Sequence, residues 1–230
     1  MRPSRITPIN LLVHIGAVLP LMVLYWDYTH DNLTINWIQG AEQRTGKIAL
    51  ILLMLSLSCT PLGTLTGWRK TNHLRRPLGL YAFFYALLHF TIFTGIDYGF
   101  DLSLLKEAIF EKPYALVGFS ALLLLIPLAA TSWKWWMKRL GKAWTRLHRL
   151  VYLAGVLVVL HYAWVVKGDL FALRGAIIQP LLYSLLVFLL LILRVPPVRR
   201  WVVRTRRQLQ VAWQNRKAKP ETESPEYPGS

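Results

Sequence analysis

Trp144-Thr-Arg-Leu-His148-Arg-Leu-Val-Tyr-Leu-Ala-Gly-Val-Leu-Val-Val-Leu-His161-Tyr-Ala-Trp164 is an apolar span carrying two histidines thirteen residues apart. As a helix rising about 1.5 Å per residue, it separates them by roughly 19–20 Å. One imidazole then lies near each face of a hydrocarbon core about 30 Å thick. Ionisable side chains are expensive in lipid and mark functional positions. Neutral imidazole is also a common axial ligand of haem iron. A third histidine lies in a second apolar span, Arg75-Arg-Pro-Leu-Gly-Leu-Tyr-Ala-Phe-Phe-Tyr-Ala-Leu-Leu-His89-Phe.

Composition supports a membrane reading. The 230 residues are 54% hydrophobic with a mean hydropathy of +0.37, and the apolar residues come in blocks rather than stripes. The net charge of +16 does not point to nucleic acid, because the bases lie between the blocks and beyond the last one. The single cysteine, Cys59, sits inside a block, so no intrachain disulfide is expected. Zinc-type Cys pairs, phosphate loops and serine-nucleophile motifs are absent from the sequence. The first block follows Arg2 and Arg5 as in a signal peptide, but its exit, Tyr25-Trp-Asp-Tyr-Thr-His30, offers no small-residue cleavage site. A retained span is expected.

Six blocks are long enough to cross a bilayer: 8–26, 47–65, 77–96, 113–132, 147–166 and 176–193. Placing the N-terminus inside puts 21 of the 27 basic residues on the cytoplasmic side and eight of the 11 acids outside, as the positive-inside rule requires. The expectation is an all-α integral membrane protein with six transmembrane helices and both termini cytoplasmic. Trp68, Trp133, Trp135, Trp136 and Trp144 mark the inner boundary, with Tyr25, Trp26, Tyr162 and Trp164 at the outer one. Residues 1–193 form the transmembrane domain. Residues 194–219 read as a basic segment on the membrane surface, in contact with lipid, and 220–230 as a disordered tail.

Depth pairs the histidines. His89 and His161 both fall several residues from the outer ends of their helices, so one haem can sit between the third and fifth spans. His148 lies near the inner boundary and is a candidate ligand for a second haem. His14, on the first span at a similar depth, is its best-placed partner. An ideal helix rotates His148 and His161 about 140° apart, which makes the second haem the less natural one. Taken singly, each histidine also reads as a structural hydrogen-bonding group between helices. Arg75, Arg76, Arg146 and Arg149 read either as topology signals or as contacts for haem propionates, a phosphate or a quinone head group. Gly79, Gly118 and Gly155 allow close helix approach.

At these residues the chain resembles the MsrQ (YedZ) family of haem-binding membrane subunits. The resemblance rests on His14-Ile-Gly-Ala-Val-Leu-Pro, Arg75-Arg-Pro-Leu-Gly-Leu-Tyr-Ala-Phe with His89, Lys112-Pro-Tyr, and Leu140-Gly-Lys-Ala-Trp-Thr-Arg-Leu-His148-Arg-Leu-Val-Tyr with His161-Tyr. More distantly the chain is similar to the transmembrane part of ferric reductases and NADPH oxidases, which hold haems between the third and fifth helices with two histidines on each. Here the third span carries only His89. The resemblance implies a b-type cytochrome of the bacterial inner membrane, with haem b and FMN. It also implies electrons from the quinol pool or a cytoplasmic flavin reductase, and delivery to the periplasmic methionine-sulfoxide reductase MsrP. No motif assigns residues to FMN. The stretch after the sixth block is too short for a flavin and NADPH domain, so the expected donor is a separate molecule. The expected role is an electron-transfer subunit rather than the catalytic one.

Two other classes use the same residues. A stand-alone ferric or metal reductase would need a substrate site in its outer loops, and the short polar loop 167–174 offers little. A histidine-relay transporter would be expected to carry acids within its spans, and none of the six blocks contains one.

Overall fold

The computed structural model describes residues 8–33, 35–166 and 178–218, and among them the secondary structure is entirely helical. The helices are α1 (Pro8–Thr29), α2 (Trp37–Thr66), α3 (Arg75–Thr91), α4 (Leu102–Phe110), α5 (Pro113–Ala130), α6 (Lys134–Leu140), α7 (Lys142–Leu147), α8 (Leu150–Val165), α9 (Ile178–Ile192) and α10 (Pro196–Ala218). A 3-10 turn, Arg69–Leu74, leads into α3, and a π-helical turn, Ile92–Asp97, prolongs it. In hydrocarbon every backbone polar group must be satisfied internally, which leaves helices as the economical solution for such apolar segments. Small polar side chains inside the spans turn back onto carbonyls four residues earlier, as Ser58 does on Met54, Thr64 on Thr60 and Ser120 on Leu116.

Five segments have the length and apolarity of a membrane crossing: α1, α2, Thr71–Asp97 around α3, α5, and Lys142–Val165 through α7 and α8. The sixth block is α9, whose 15 described residues run into α10 through an 81° bend. Pro196 opens α10, and a proline drives the residue before it out of helical geometry. The outward faces are apolar, with Leu123 and Ile126 of α5, Leu153 and Leu160 of α8, and Leu185 and Phe188 of α9 all exposed. So extended an apolar surface belongs in lipid. The chain is a membrane protein.

α2 is the hub. Its buried Leu50, Leu53, Met54 and Leu57 pack with Leu78, Ala82 and Tyr85 of α3, Ala154 and Val159 of α8, and Val187 and Leu190 of α9. Glycines set the spacing: a β-carbon on Gly79 would come within 3.3 Å of Ser56 Oγ, and one on Gly155 within 3.0 Å of Leu57 Cδ1. α1 lies at the periphery, held by two tyrosines one turn apart on α3. Tyr85 donates to the Ala17 carbonyl at 2.6 Å, and the Tyr81 hydroxyl meets His14 Nδ1 at 2.8 Å. An ion pair between Asp27 and Arg44 joins the end of α1 to the start of α2.

Two sequence expectations change. α2 begins at Trp37, ten residues before the apolar block, because Asn36 caps it by accepting from Gln39 N–H and its first turns are too polar for a hydropathy reading. Residues 147–166 are not one uninterrupted helix: α7 ends at Leu147 and α8 starts at Leu150, with His148 and Arg149 in the turn between them. The 140° rotation assumed an ideal helix throughout, and the turn interrupts that helix at its inner end. Tyr162 is in addition a strut, donating to Gln179 Oε1 at 2.9 Å and packing edge-on against Tyr183. The loop 167–174, the tail 220–230, and Arg2 and Arg5 lie outside the described residues.

One half-buried cation repairs a proline break. Pro61 has no N–H, so the Leu57 carbonyl loses its helical donor. Arg194 Nη2 takes that place at 2.6 Å, while Nη1 reaches the Tyr152 hydroxyl at 2.7 Å and the guanidinium lies 4.7 Å from the Tyr152 ring centre. Arg194→Met is expected to lower the thermal-unfolding midpoint in detergent, because a buried polar group left unsatisfied costs about 1–3 kcal/mol. An unchanged midpoint would remove Arg194 from the list of stabilising contacts.

Candidate functional site

α3 and α8 bring His89 and His161 together edge to face, with ring centroids 6.2 Å apart and planes inclined at 69°. Each ring is held from behind by the same device on a different helix. His89 Nδ1 donates to the Glu42 carbonyl of α2 at 3.0 Å, and His161 Nδ1 donates to the Tyr114 carbonyl of α5 at 2.8 Å. A carbonyl only accepts, so each Nδ1 carries the proton and each Nε2 keeps its lone pair free.

Four residues after each of those carbonyls stands a glycine, Gly46 and Gly118. The missing side chains make the bed for the rings. A β-carbon on Gly46 would lie 3.3 Å from His89 Nδ1, and one on Gly118 would lie 2.7 Å from His161 Nδ1. Beside the pair, Phe90 stacks on Phe119 at 5.6 Å and ties α3 to α5 at this level. The connection from α3 to α5 is closed as well. Phe100, at φ +58°, packs over Gly95 in the π-helical turn, and Lys112 donates to the Tyr98 hydroxyl just before α5 begins. Asp101 caps α4, and the Ser103 hydroxyl bonded to it holds its carboxyl below the usual range.

The other predicted residues lie elsewhere. His148 sits in the α7–α8 turn, stacked on Trp144 with centroids 3.9 Å apart and with Nδ1 donating to the Trp144 carbonyl at 3.1 Å. His14 is engaged with Tyr81, a hydroxyl that can donate or accept, so its proton is not fixed on one nitrogen. Arg75 and Arg76 open α3, and thirteen or fourteen residues separate them from His89, about 20 Å of helix. Arg146 and Arg149 flank His148, and all four arginines are exposed. None of the four can serve a group at the His89–His161 level; they could serve one beside His148.

Sequence reading missed Gly46 and the two carbonyls; it placed residues 42 and 46 in a loop, and nothing in the residue type marks the carbonyl of Tyr114. It also missed Glu42, an acid inside α2 whose Oε1 is buried without a hydrogen-bond partner. Among the described residues no three His, Cys, Asp or Glu side chains gather as a metal site of their own.

Residues 45–159 match the family described as the ferric reductase like transmembrane component. A protein-methionine-sulfoxide reductase heme-binding subunit MsrQ from Deinococcus radiodurans is 48% identical over 159 residues, 68% of this chain and 78% of the relative. The chain belongs to the MsrQ family. Its namesake from Herminiimonas arsenicoxydans is 41% identical over 194 residues, 84% of this chain and 87% of the relative, and that from Xanthomonas axonopodis pv. citri is 42% identical over 186 residues. The stretch matched to the ferric-reductase family starts one residue before Gly46 and ends two before His161. It therefore takes in α3, α5 and most of α8.

Proposed function

We propose that this chain is the haem-b-carrying membrane subunit of a methionine-sulfoxide reductase system, in which His89 and His161 would hold one haem through their Nε2 atoms. The observation that carries this reading is the adjacent pair with both Nδ1 atoms bonded to carbonyls. Imidazoles on opposite faces of one metal ion, each bound at about 2 Å, bring their ring centres to roughly 6 Å; the separation here is 6.2 Å. Ligating histidines characteristically donate the other ring N–H to such an acceptor. Two protein ligands suit a macrocycle that supplies the remaining four, and they do not suit a bare ion. When bound, haem supplies one-electron redox chemistry. The chain's own part is to fix both imidazoles, exclude water with Phe90 and Phe119, and tune the potential through the two carbonyl bonds.

The distribution of basic residues supports an N-terminus and α10 on the cytoplasmic side of a bacterial inner membrane, with the His89–His161 pair in the outer half. Electrons from the quinol pool or a cytoplasmic flavin reductase would then leave on the side of the periplasmic partner, MsrP. His148, with Nδ1 also committed to a carbonyl, is the ligand we assign to a second, inner haem, with the arginines beside it available to propionates. FMN rests on family resemblance alone.

The test is a reduced-minus-oxidised visible spectrum of the purified protein with haem quantified. Low-spin b-type bands are expected; a colourless protein after haem supplementation would overturn the reading. Glu42 offers a check against the histidine-relay alternative. It contributes its backbone carbonyl to His89, so Glu42→Gln is expected to leave spectrum and electron delivery unchanged. A relay through its carboxyl would instead fail in that variant while the spectrum stayed intact.

A further inference from the structure

α10 leaves α9 at 81°, so a helix that follows a span turns across it. Two arginines fix where it lies. Arg194, just before it, is clamped to the Leu57 carbonyl, and Arg206, within it, donates to the Thr64 carbonyl at 3.1 Å. The Arg206 guanidinium covers Gly67, whose φ of +80° ends α2; a β-carbon there would fall 2.6 Å from Arg206 Nη1. The Arg206 contact places positive charge at the C-terminal end of α2, and with the Arg194 contact further back along α2 it gives α10 a set orientation.

At 100° per residue, Val198, Trp201, Val202, Leu209, Ala212 and Trp213 fall within an arc of about 120°, and Arg199, Arg200, Arg204, Arg206 and Arg207 within about 160° of the remainder, with Val203 and Val211 among them. Val198 and Val202 are half-buried against the bundle, whereas Trp201 is 68% exposed and Leu209 66%. Arg199, Arg200, Arg204 and Arg207 are exposed too, and no acid occurs from residue 194 to residue 218. An occupant must meet a tryptophan and a leucine on one side and four unopposed guanidinium groups on the other. The boundary of a membrane rich in acidic phospholipid offers both at once.

We propose that α10 is a lipid-reading helix that binds acidic phospholipid headgroups through Arg199, Arg200, Arg204 and Arg207, with Trp201 and Leu209 seated at the headgroup–acyl boundary. This is independent of the haem assignment and goes beyond it. The experiment uses the full chain with Cys59 replaced by Ala and a nitroxide at Leu209→Cys or Gln208→Cys, reconstituted in phosphatidylcholine with or without phosphatidylglycerol. Accessibility to oxygen and to a water-soluble nickel chelate reports depth. With phosphatidylglycerol, the oxygen-to-nickel ratio at position 209 is expected to rise several-fold above that at 208. Changing the four arginines to Gln should cancel the rise while leaving the haem spectrum and thermal midpoint in place. Equal ratios in both lipids overturn the proposal, as does spin–spin broadening that shows a second copy covering α10.

Discussion

His161→Ala and His89→Ala are each expected to abolish the low-spin b-type bands and to lower bound haem by more than tenfold. The outer-shell partner of a ligating histidine is worth about 10–100-fold in metal affinity, and removal of the ligand itself should cost at least as much. The two variants should be equivalent, because the site is built twice from one plan: ring, carbonyl, and glycine four residues on. Free imidazole added to either variant should restore part of the spectrum, since the truncated side leaves a ring-sized gap while the opposite ring stays bonded to its carbonyl. His148→Ala is expected to keep the outer signal and lose only the share of an inner haem. Retention of the full spectrum in both His89→Ala and His161→Ala would remove the pair from the iron. Loss of everything in His148→Ala alone would move the principal site to the α7–α8 turn.

The pairing of His89 with His161 was legible because depth in a membrane can be counted along the sequence. Hydropathy sets the ends of each helix, and charge sets its direction. Two histidines on different spans at one depth have few other partners. The features that stayed hidden share a physical reason: they reside in backbone atoms or in the absence of a side chain. Glu42 and Tyr114 matter here through their carbonyls, Gly46 through its missing β-carbon, and nothing in the residue types marks those roles. Gly46 was masked further by the polar first turns of α2, which a hydropathy window assigns to a loop. The Arg194 clasp was readable in principle. Pro61 within a span frees the carbonyl of Leu57, and a lone arginine at the end of a neighbouring span is a natural donor for it. The break at His148 had no such signal, since Leu147 to Leu150 contains neither glycine nor proline.

The glycines give the sharpest separation between a haem clamp and ordinary helix packing. Gly118→Ala places a β-carbon 2.7 Å from His161 Nδ1 and 2.8 Å from Cε1, closer than such atoms come, so the ring must leave its bed and its bond to the Tyr114 carbonyl. A loss of haem affinity of about 10–100-fold is expected, the range for an outer-shell partner, with a shifted potential in whatever haem remains. Gly46→Ala meets His89 only at 3.3 Å, which a few tenths of an ångström of movement relieves, so its effect should be much smaller. Gly79→Ala meets Ser56 Oγ at the same 3.3 Å but far from either ring; it should alter the thermal midpoint without touching the spectrum. The order Gly118, Gly46, Gly79 in haem affinity follows only if the glycines act through the imidazoles. Were they mere helix-contact residues, Gly118→Ala and Gly79→Ala would both depress the midpoint while the bands of the haem-loaded protein stayed alike. Spectral titration with haem beside a thermal melt of each variant decides between the two.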